Sequence, residues 1–154
     1  MDGRWRDVGV LAGALFAVNV VARLITRFGF DGDDAAADRV SLVMFVVIGL
    51  ILAAVAFRWG RRRPLAVWLA DVALAVLVAM VLTVLVGPLF VGHSPFAGGA
   101  GTFFAQIWLY LLATGAGVLI GYLVLTALGR DYRSEQLKRF TEVKAAKPRR
   151  VVRR

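Results

Sequence analysis

The sequence predicts an all-α integral membrane protein: a four-transmembrane-helix bundle, N-in/C-in, with a basic cytoplasmic C-terminal tail. Three observations carry this prediction. The composition is 60% hydrophobic and only 19% charged, the apolar residues form four long blocks, and the basic residues gather at alternate ends of those blocks. A soluble domain with so much apolar surface would need a larger polar shell to cover it. Lipid is therefore the expected surroundings of the apolar surface.

The four apolar blocks have the length of membrane-spanning helices. A helix needs about 20 mostly apolar residues to cross the hydrocarbon core. The windows that meet this requirement are Val8–Phe28, Val40–Trp59, Leu65–Val91 and Thr102–Leu128. Membrane-spanning β-strands are shorter and alternate between apolar and polar residues. The blocks therefore predict helices.

The charges between the blocks predict the orientation. Of the 19 basic residues, 16 precede the first block, lie between the end of the second block (from Arg58) and the start of the third, or follow the fourth. The segment 29–39 instead contains four aspartates, and 92–101 contains no formal charge. Basic segments of membrane proteins remain in the cytoplasm. We expect a multi-pass protein of a bacterial-type plasma (inner) membrane with both termini cytoplasmic.

The first block has an alternative interpretation as a secretory signal peptide. Basic residues at Arg4 and Arg6 precede an apolar run, and the segment 20–22 could serve as a weak cleavage site. Asp7 in the charged region and the polar Asn19 argue against cleavage. Cleavage would leave three spans in the same orientation.

Small residues recur at four-residue steps, a spacing that lets membrane helices approach closely. The steps comprise Gly9, Gly13 and Ala17 in the first span, Gly49 and Ala53 in the second, and Ala113, Gly117 and Gly121 in the fourth. In the fourth span Gln106, Tyr110 and Thr114 continue the same face. We expect that face to point into the bundle or at a partner.

Asp71 is the most unusual residue of the third span. A carboxylate below the membrane boundary is costly unless it is paired or hydrated, and it is a functional candidate by default. The simpler expectation is an ion pair with Arg6, Arg58 or Arg61 that fixes the depth of the helix. The alternative is a role in proton or ligand binding.

Asn19, Arg23 and Arg27 recur at four-residue steps and form a polar stripe on the first span. The simpler expectation is that Arg23 pairs with the acidic segment 31–38 or with Gln106. The sharper hypothesis is a small polar cavity lined by Asn19, Arg23, Gln106 and Tyr110 that binds an anionic or polar solute.

The sequence offers little for catalysis. It has no cysteine and a single histidine, which makes thiolate chemistry impossible and an ordinary zinc site difficult to build. No catalytic, metal-binding or cofactor-binding motif is present, and we expect neither an enzyme nor a cofactor.

The segment Gly129–Arg154 contains ten basic residues and three acidic ones. We expect it to bind anionic lipid headgroups, since basic residues beside a membrane attract them. Its first part, to about Lys147, is predicted to be a helix that continues the fourth span, with a Glu135–Arg139 pair, and the remainder to be disordered. Nucleic-acid binding is not expected.

Three classes of function remain open. The leading hypothesis is an accessory or interaction subunit of a membrane complex, or a homo-oligomer, because the loops are short and small residues line the helices. The alternative is a minimal transporter or channel for a polar or anionic solute. An intramembrane enzyme is third.

Overall fold

The part of the protein that the structure describes is almost entirely helical. The structure, a computed structural model, describes residues 3–30, 34–92, 94, 96 and 99–146. The helices are α1 (Gly3–Gly29), α2 (Asp34–Gly60), α3 (Leu65–Val81), α4 (Gly99–Ala127) and α5 (Tyr132–Ala146). A π-helical turn, Leu82–Val86, and a 3-10 segment, Gly87–Val91, extend α3. Four of these helical stretches are long and apolar enough to cross a membrane, which confirms the prediction of four apolar helices of membrane-spanning length.

The break between α4 and α5 corrects the expectation that the fourth span continues into the tail. Gly129 adopts a left-handed conformation with φ of 59°. The amide of Gly129 donates to the Thr126 carbonyl at 2.9 Å, and the amide of Arg130 donates to the Leu125 carbonyl at 3.2 Å. This pair of bonds is the Schellman motif that ends helices. Helix α5 is therefore a separate helix.

Helix α2 is central to the bundle and packs most extensively against α4, while α1 packs against both α3 and α2. Gly117 of α4 lies against Gly49 of α2, and Gly121 lies against Ala53. The residue numbers rise together in both contacts, so α2 and α4 run parallel. The chain neighbours α3 and α4, by contrast, make little contact with each other.

The side chains divide into a small packed interior and a broad apolar exterior. Leu15, Ile48 and Leu52 are completely buried at the contacts between helices. Large apolar side chains also cover the outside of the bundle, where Leu112 and Trp108 are more than two-thirds exposed. Soluble monomers rarely expose contiguous apolar surface of this extent. The distribution fits a bundle whose outer surface contacts lipid.

Candidate functional site

Asp71 lies at the centre of an ion-pair network at one end of the bundle, which we call the basic end. Its carboxylate accepts a hydrogen bond from Arg4 Nε at 2.7 Å and another from Arg63 Nη1 at 3.1 Å. Arg63 Nη2 also donates to the carboxylate of Asp7 at 2.8 Å. The network joins α1, the α2–α3 loop and α3, and it contains two positive and two negative charges.

The burial of these groups is unequal. The side chain of Asp71 is 2% exposed, whereas those of Arg4 and Arg63 are 55% and 31% exposed. The carboxylate is thus removed from water, while its partners keep part of their hydration. The Arg63 guanidinium also lies 5.3 Å from the centre of the Trp59 ring, a cation–π distance. This geometry joins the first turns of α1 and α3 through ion pairs.

An arginine pair at this end was the simpler expectation for Asp71, but the partners differ from those expected. The structure places Arg4 and Arg63 on the carboxylate instead of Arg6, Arg58 or Arg61. Periodicity along one helix cannot identify the partner, because the choice depends on how α1 and the α2–α3 loop are rotated against α3.

The second polar cluster lies toward the opposite end and is built on Asn19. This side chain is 3% exposed, and its Oδ1 accepts a hydrogen bond from Arg23 Nε at 2.9 Å. Its amide nitrogen lies 3.1 Å from Met44 Sδ of α2. The i,i+4 stripe of α1 is therefore internally bonded, and Asn19 supplies a partner that sequence reasoning had not assigned to Arg23. Of the acidic segment, residues 31–33 lie outside the described residues.

The end of α3 makes room for this cluster. Proline has no amide hydrogen and clashes with the preceding turn, so Pro88 cannot continue an α-helix. The backbone passes instead through the π-helical turn into the 3-10 segment. A Cβ at Gly87 would lie 3.0 Å from Arg23 Nε and 3.1 Å from Asn19 Oδ1. The absence of a Cβ at Gly87 therefore leaves room for the Arg23 and Asn19 side chains against the 3-10 segment.

Tyr110 and Gln106 on α4 do not join Asn19 and Arg23 by hydrogen bonds. Tyr110 is 1% exposed, and its hydroxyl has no hydrogen-bond partner among the described residues. The hydroxyl of Thr83, in the π-helical turn, is likewise buried without a partner. Gln106 is half-buried, and its side chain forms no hydrogen bond within the described part of the chain. The four residues of the hypothesised cavity are thus not assembled as one hydrogen-bonded set.

The regularly spaced small residues of α4 and of α1 have different surroundings. Cβ atoms at Gly117 and Gly121 would lie within 2.8 Å of backbone Cα atoms of α2, so these glycines are at a close helix crossing. Ala113 is half-buried on the same face, and its carbonyl lies beside Gly49. On α1 the arrangement is the opposite: Gly9, Gly13 and Ala17 are all exposed. No atom would contact a Cβ added at Gly9 or Gly13.

Neither polar cluster has the composition of a metal or nucleophile site. Within the described ranges, no three His, Asp or Glu side chains converge as metal ligands would. Comparison of the chain with protein-family models, with curated proteins and with solved structures yields no match. The geometry of the chain itself is therefore the basis for assigning a function.

Proposed function

We propose that this chain is a multi-pass protein of a bacterial-type inner membrane that acts by association, as a subunit of a membrane complex or as a homo-oligomer. Both termini lie in the cytoplasm in this proposal, because 16 of the 19 basic residues belong to segments at that end. The tail Gly129–Arg154 contacts anionic lipid headgroups. The proposal includes no catalytic role and no nucleic-acid partner.

One observation carries the association proposal: the small-residue face of α1 is open. Gly117 and Gly121 have the same spacing and lie against the backbone of α2. Gly9 and Gly13 have that spacing with open space in front of them. Lipid tails give no hydrophobic drive for helix association, so close backbone contact at small residues supplies much of the attraction. We assign the face of Gly9, Gly13 and Ala17 as the association surface.

The surroundings of the charged residues also favour association over transport. Asp71 is bonded to two arginines, and Arg23 is bonded to Asn19 on its own helix. A solute pathway would instead need ionisable groups that face a hydrated space. Four helices rarely enclose such a pathway on their own.

A minimal transporter or channel is the second candidate, and a separate observation favours it. The hydroxyls of Tyr110 and Thr83 are buried with no partner within the described part of the chain, and buried polar groups normally have one. A polar solute could supply it. In that case Tyr110→Phe would reduce solute uptake by proteoliposomes without changing the thermal stability of the protein. Equal uptake by the variant and the wild type would reject this candidate.

The association proposal is tested by pull-down from native membranes. Two differently tagged copies of the full chain are expressed together, cross-linked, and recovered through one tag. The double variant Gly9→Leu with Gly13→Leu should lose the second copy, or the partner subunit, that the wild type retains. Gly115→Leu is the matched control, because Gly115 is also exposed on a membrane-spanning helix and has no atom in front of it.

The outcomes separate clearly. Loss of the recovered copy or partner in the α1 variant alone supports the assigned surface. Recovery of a monomer from wild-type membranes contradicts association. Equal loss in the α1 variant and in Gly115→Leu contradicts the assignment of the surface to α1.

A further inference from the structure

A cleft lies at the basic end of the bundle, between the α2–α3 loop and the start of α5. Its volume is about 250 Å³, and it is lined by Arg61, Arg62, Tyr132, Glu135, Gln136 and Arg139. Sites for drug-sized molecules span roughly 300–1,000 Å³. The cleft is therefore suited to a compact group, such as a phosphate with part of a headgroup.

The lining is cationic and rich in donors. Three arginines and one glutamate line the cleft, so its lining carries a net positive charge. Arg61 Nη2 lies 3.9 Å from Glu135 Oε1, a contact too long for a hydrogen bond. Arg62 and Arg139 form no side-chain hydrogen bond within the described residues. Arginine presents five donors in a planar fork that matches phosphate oxygens.

The local fold holds the two walls of the cleft in place. The Schellman turn at Gly129 ends α4 and separates it from α5. Asp131 then caps α5: its carboxylate accepts hydrogen bonds from both the amide and the hydroxyl of Ser134. With α5 begun there, Tyr132, Gln136 and Arg139 are brought opposite Arg61 and Arg62.

The position of the cleft indicates where its ligand comes from. Arg61 and Arg62 directly follow Gly60, the last residue of the apolar helix α2. In a membrane-spanning bundle this is the level at which the hydrocarbon ends and the headgroups begin. A phosphate group at that level belongs either to a lipid or to a soluble ion in contact with the surface.

We propose that this cleft is a phosphate-binding site that takes the headgroup phosphate of an anionic phospholipid. Arg61, Arg62 and Arg139 donate to the phosphate oxygens, and Tyr132 and Gln136 contact the remainder of the headgroup. The inference rests on the proposed membrane placement and is independent of self-association through α1. It differs from a general attraction of the basic tail because it names one site with a defined donor set.

The test compares two variants of the full chain that lose the same charge. One is Arg61→Gln with Arg62→Gln and Arg139→Gln. The matched control is Arg130→Gln with Arg133→Gln and Lys144→Gln, whose residues are exposed at the same end and do not line the cleft. Each protein is purified in nanodiscs of phosphatidylcholine with and without phosphatidylglycerol. Bound phosphatidylglycerol is then measured by native mass spectrometry after release into a neutral detergent.

We expect the cleft variant to bind phosphatidylglycerol at least about tenfold more weakly than the control variant, because hydrogen bonds to charged groups contribute strongly to binding. If lipid binding came only from general attraction between basic residues and the anionic surface, the two triple variants would lose it equally, because they lose the same charge. A titration of the phosphatidylcholine sample with inorganic phosphate separates the two sources of the ligand. The proposal is supported if the cleft variant loses phosphatidylglycerol binding and the control variant keeps it. If only the binding of inorganic phosphate depends on the cleft residues, the lipid is rejected as the ligand.

Equal losses in the two triple variants, or no binding of either probe by the wild type, would overturn the site. A further variant, Arg61→Lys with Arg62→Lys, keeps the charge and removes the planar fork. It should bind phosphatidylglycerol more weakly than the wild type and should fold as the wild type does. The pull-down through α1 is unaffected by these substitutions, so failure of this site is distinguishable from failure of the association proposal.

Discussion

Replacing Gly117 by alanine should separate α4 from α2 and destabilise the bundle. The added Cβ would lie 2.8 Å from the Cα of Gly49, about 1 Å short of the optimal separation of two carbon atoms. Backbone atoms cannot rotate away as a flexible side chain can, so α4 must move as a unit. The crossing of α2 and α4 is the most extensive contact of the bundle. A shift there loosens many contacts at once.

The magnitude follows from two opposing effects. Overpacking of a well-packed contact costs about 1–3 kcal/mol, and separation of the helices adds lost dispersion contacts. Alanine is also a better helix former than glycine by about 1 kcal/mol. We expect a net loss of about 1–2 kcal/mol for Gly117→Ala. Gly121→Ala should behave similarly, since its Cβ would lie 2.7 Å from the Cα of Ala53.

The assay is reversible unfolding of the purified chain in mixed micelles, followed by circular dichroism. Gly115→Ala is the internal control: it makes the same chemical change two positions away, where no atom lies within 4 Å of the new Cβ. It should leave the stability equal or slightly increased. If Gly117→Ala and Gly115→Ala unfold at the same denaturant concentration, the clash of the added Cβ with the backbone of α2 does not destabilise the bundle and the prediction is refuted.

Three further predictions concern the polar groups. Asp71→Asn should lower the free energy of unfolding by about 2 kcal/mol. The loss is smaller than for a fully buried pair, because the arginine partners can rehydrate. A variant as stable as the wild type in the same micelles would contradict a structural role. Arg23→Leu should leave Asn19 Oδ1 buried without its donor and lower the melting temperature, by an amount equivalent to about 1–3 kcal/mol, whereas unchanged stability would contradict that contact. The hydrogen bonds from Ser134 lower the pKa of Asp131. The contribution of this carboxylate to the stability of α5 is therefore fully present above the pKa that Asp131 has in the unfolded chain. It is lost as the pH falls through the lowered pKa of Asp131 in the folded state. Hydrogen exchange of the first-turn amides of α5 should therefore accelerate at acid pH in the wild type, and Asp131→Ala should show the faster exchange already at neutral pH.

The two small-residue faces show what periodicity along a helix can and cannot predict. The four-residue spacing identified both the α1 face and the α4 face as candidate packing surfaces. Only the tertiary structure distinguishes them, with Gly117 against Gly49 and Gly9 open. The spacing describes the shape of one helix, whereas packing depends on whether a second helix arrives at the matching rotation and depth.

For the ionisable residues, too, the sequence predicted the need for a contact and the tertiary structure selected the partner. The sequence predicted that Asp71 would need a partner, because burial of an unpaired carboxylate is too costly. It could not select Arg4 and Arg63, which are separated from Asp71 along the chain and meet it only when α1 and the α2–α3 loop are packed. The cleft beside Arg61 was missed for a similar reason, since its two walls belong to segments far apart in sequence.

The sequence by itself determined that the chain forms four long apolar helices, because hydropathy and length are local properties that need no knowledge of neighbours. Tertiary structure alone decided that α2 packs most extensively against α4 and that Arg23 and Asn19 lie against Gly87 of the 3-10 segment. It also decided that α4 ends at Gly129. The physical reason is that burial in lipid depends only on how apolar a segment is. The contacts between helices depend instead on close complementarity of surfaces from distant segments.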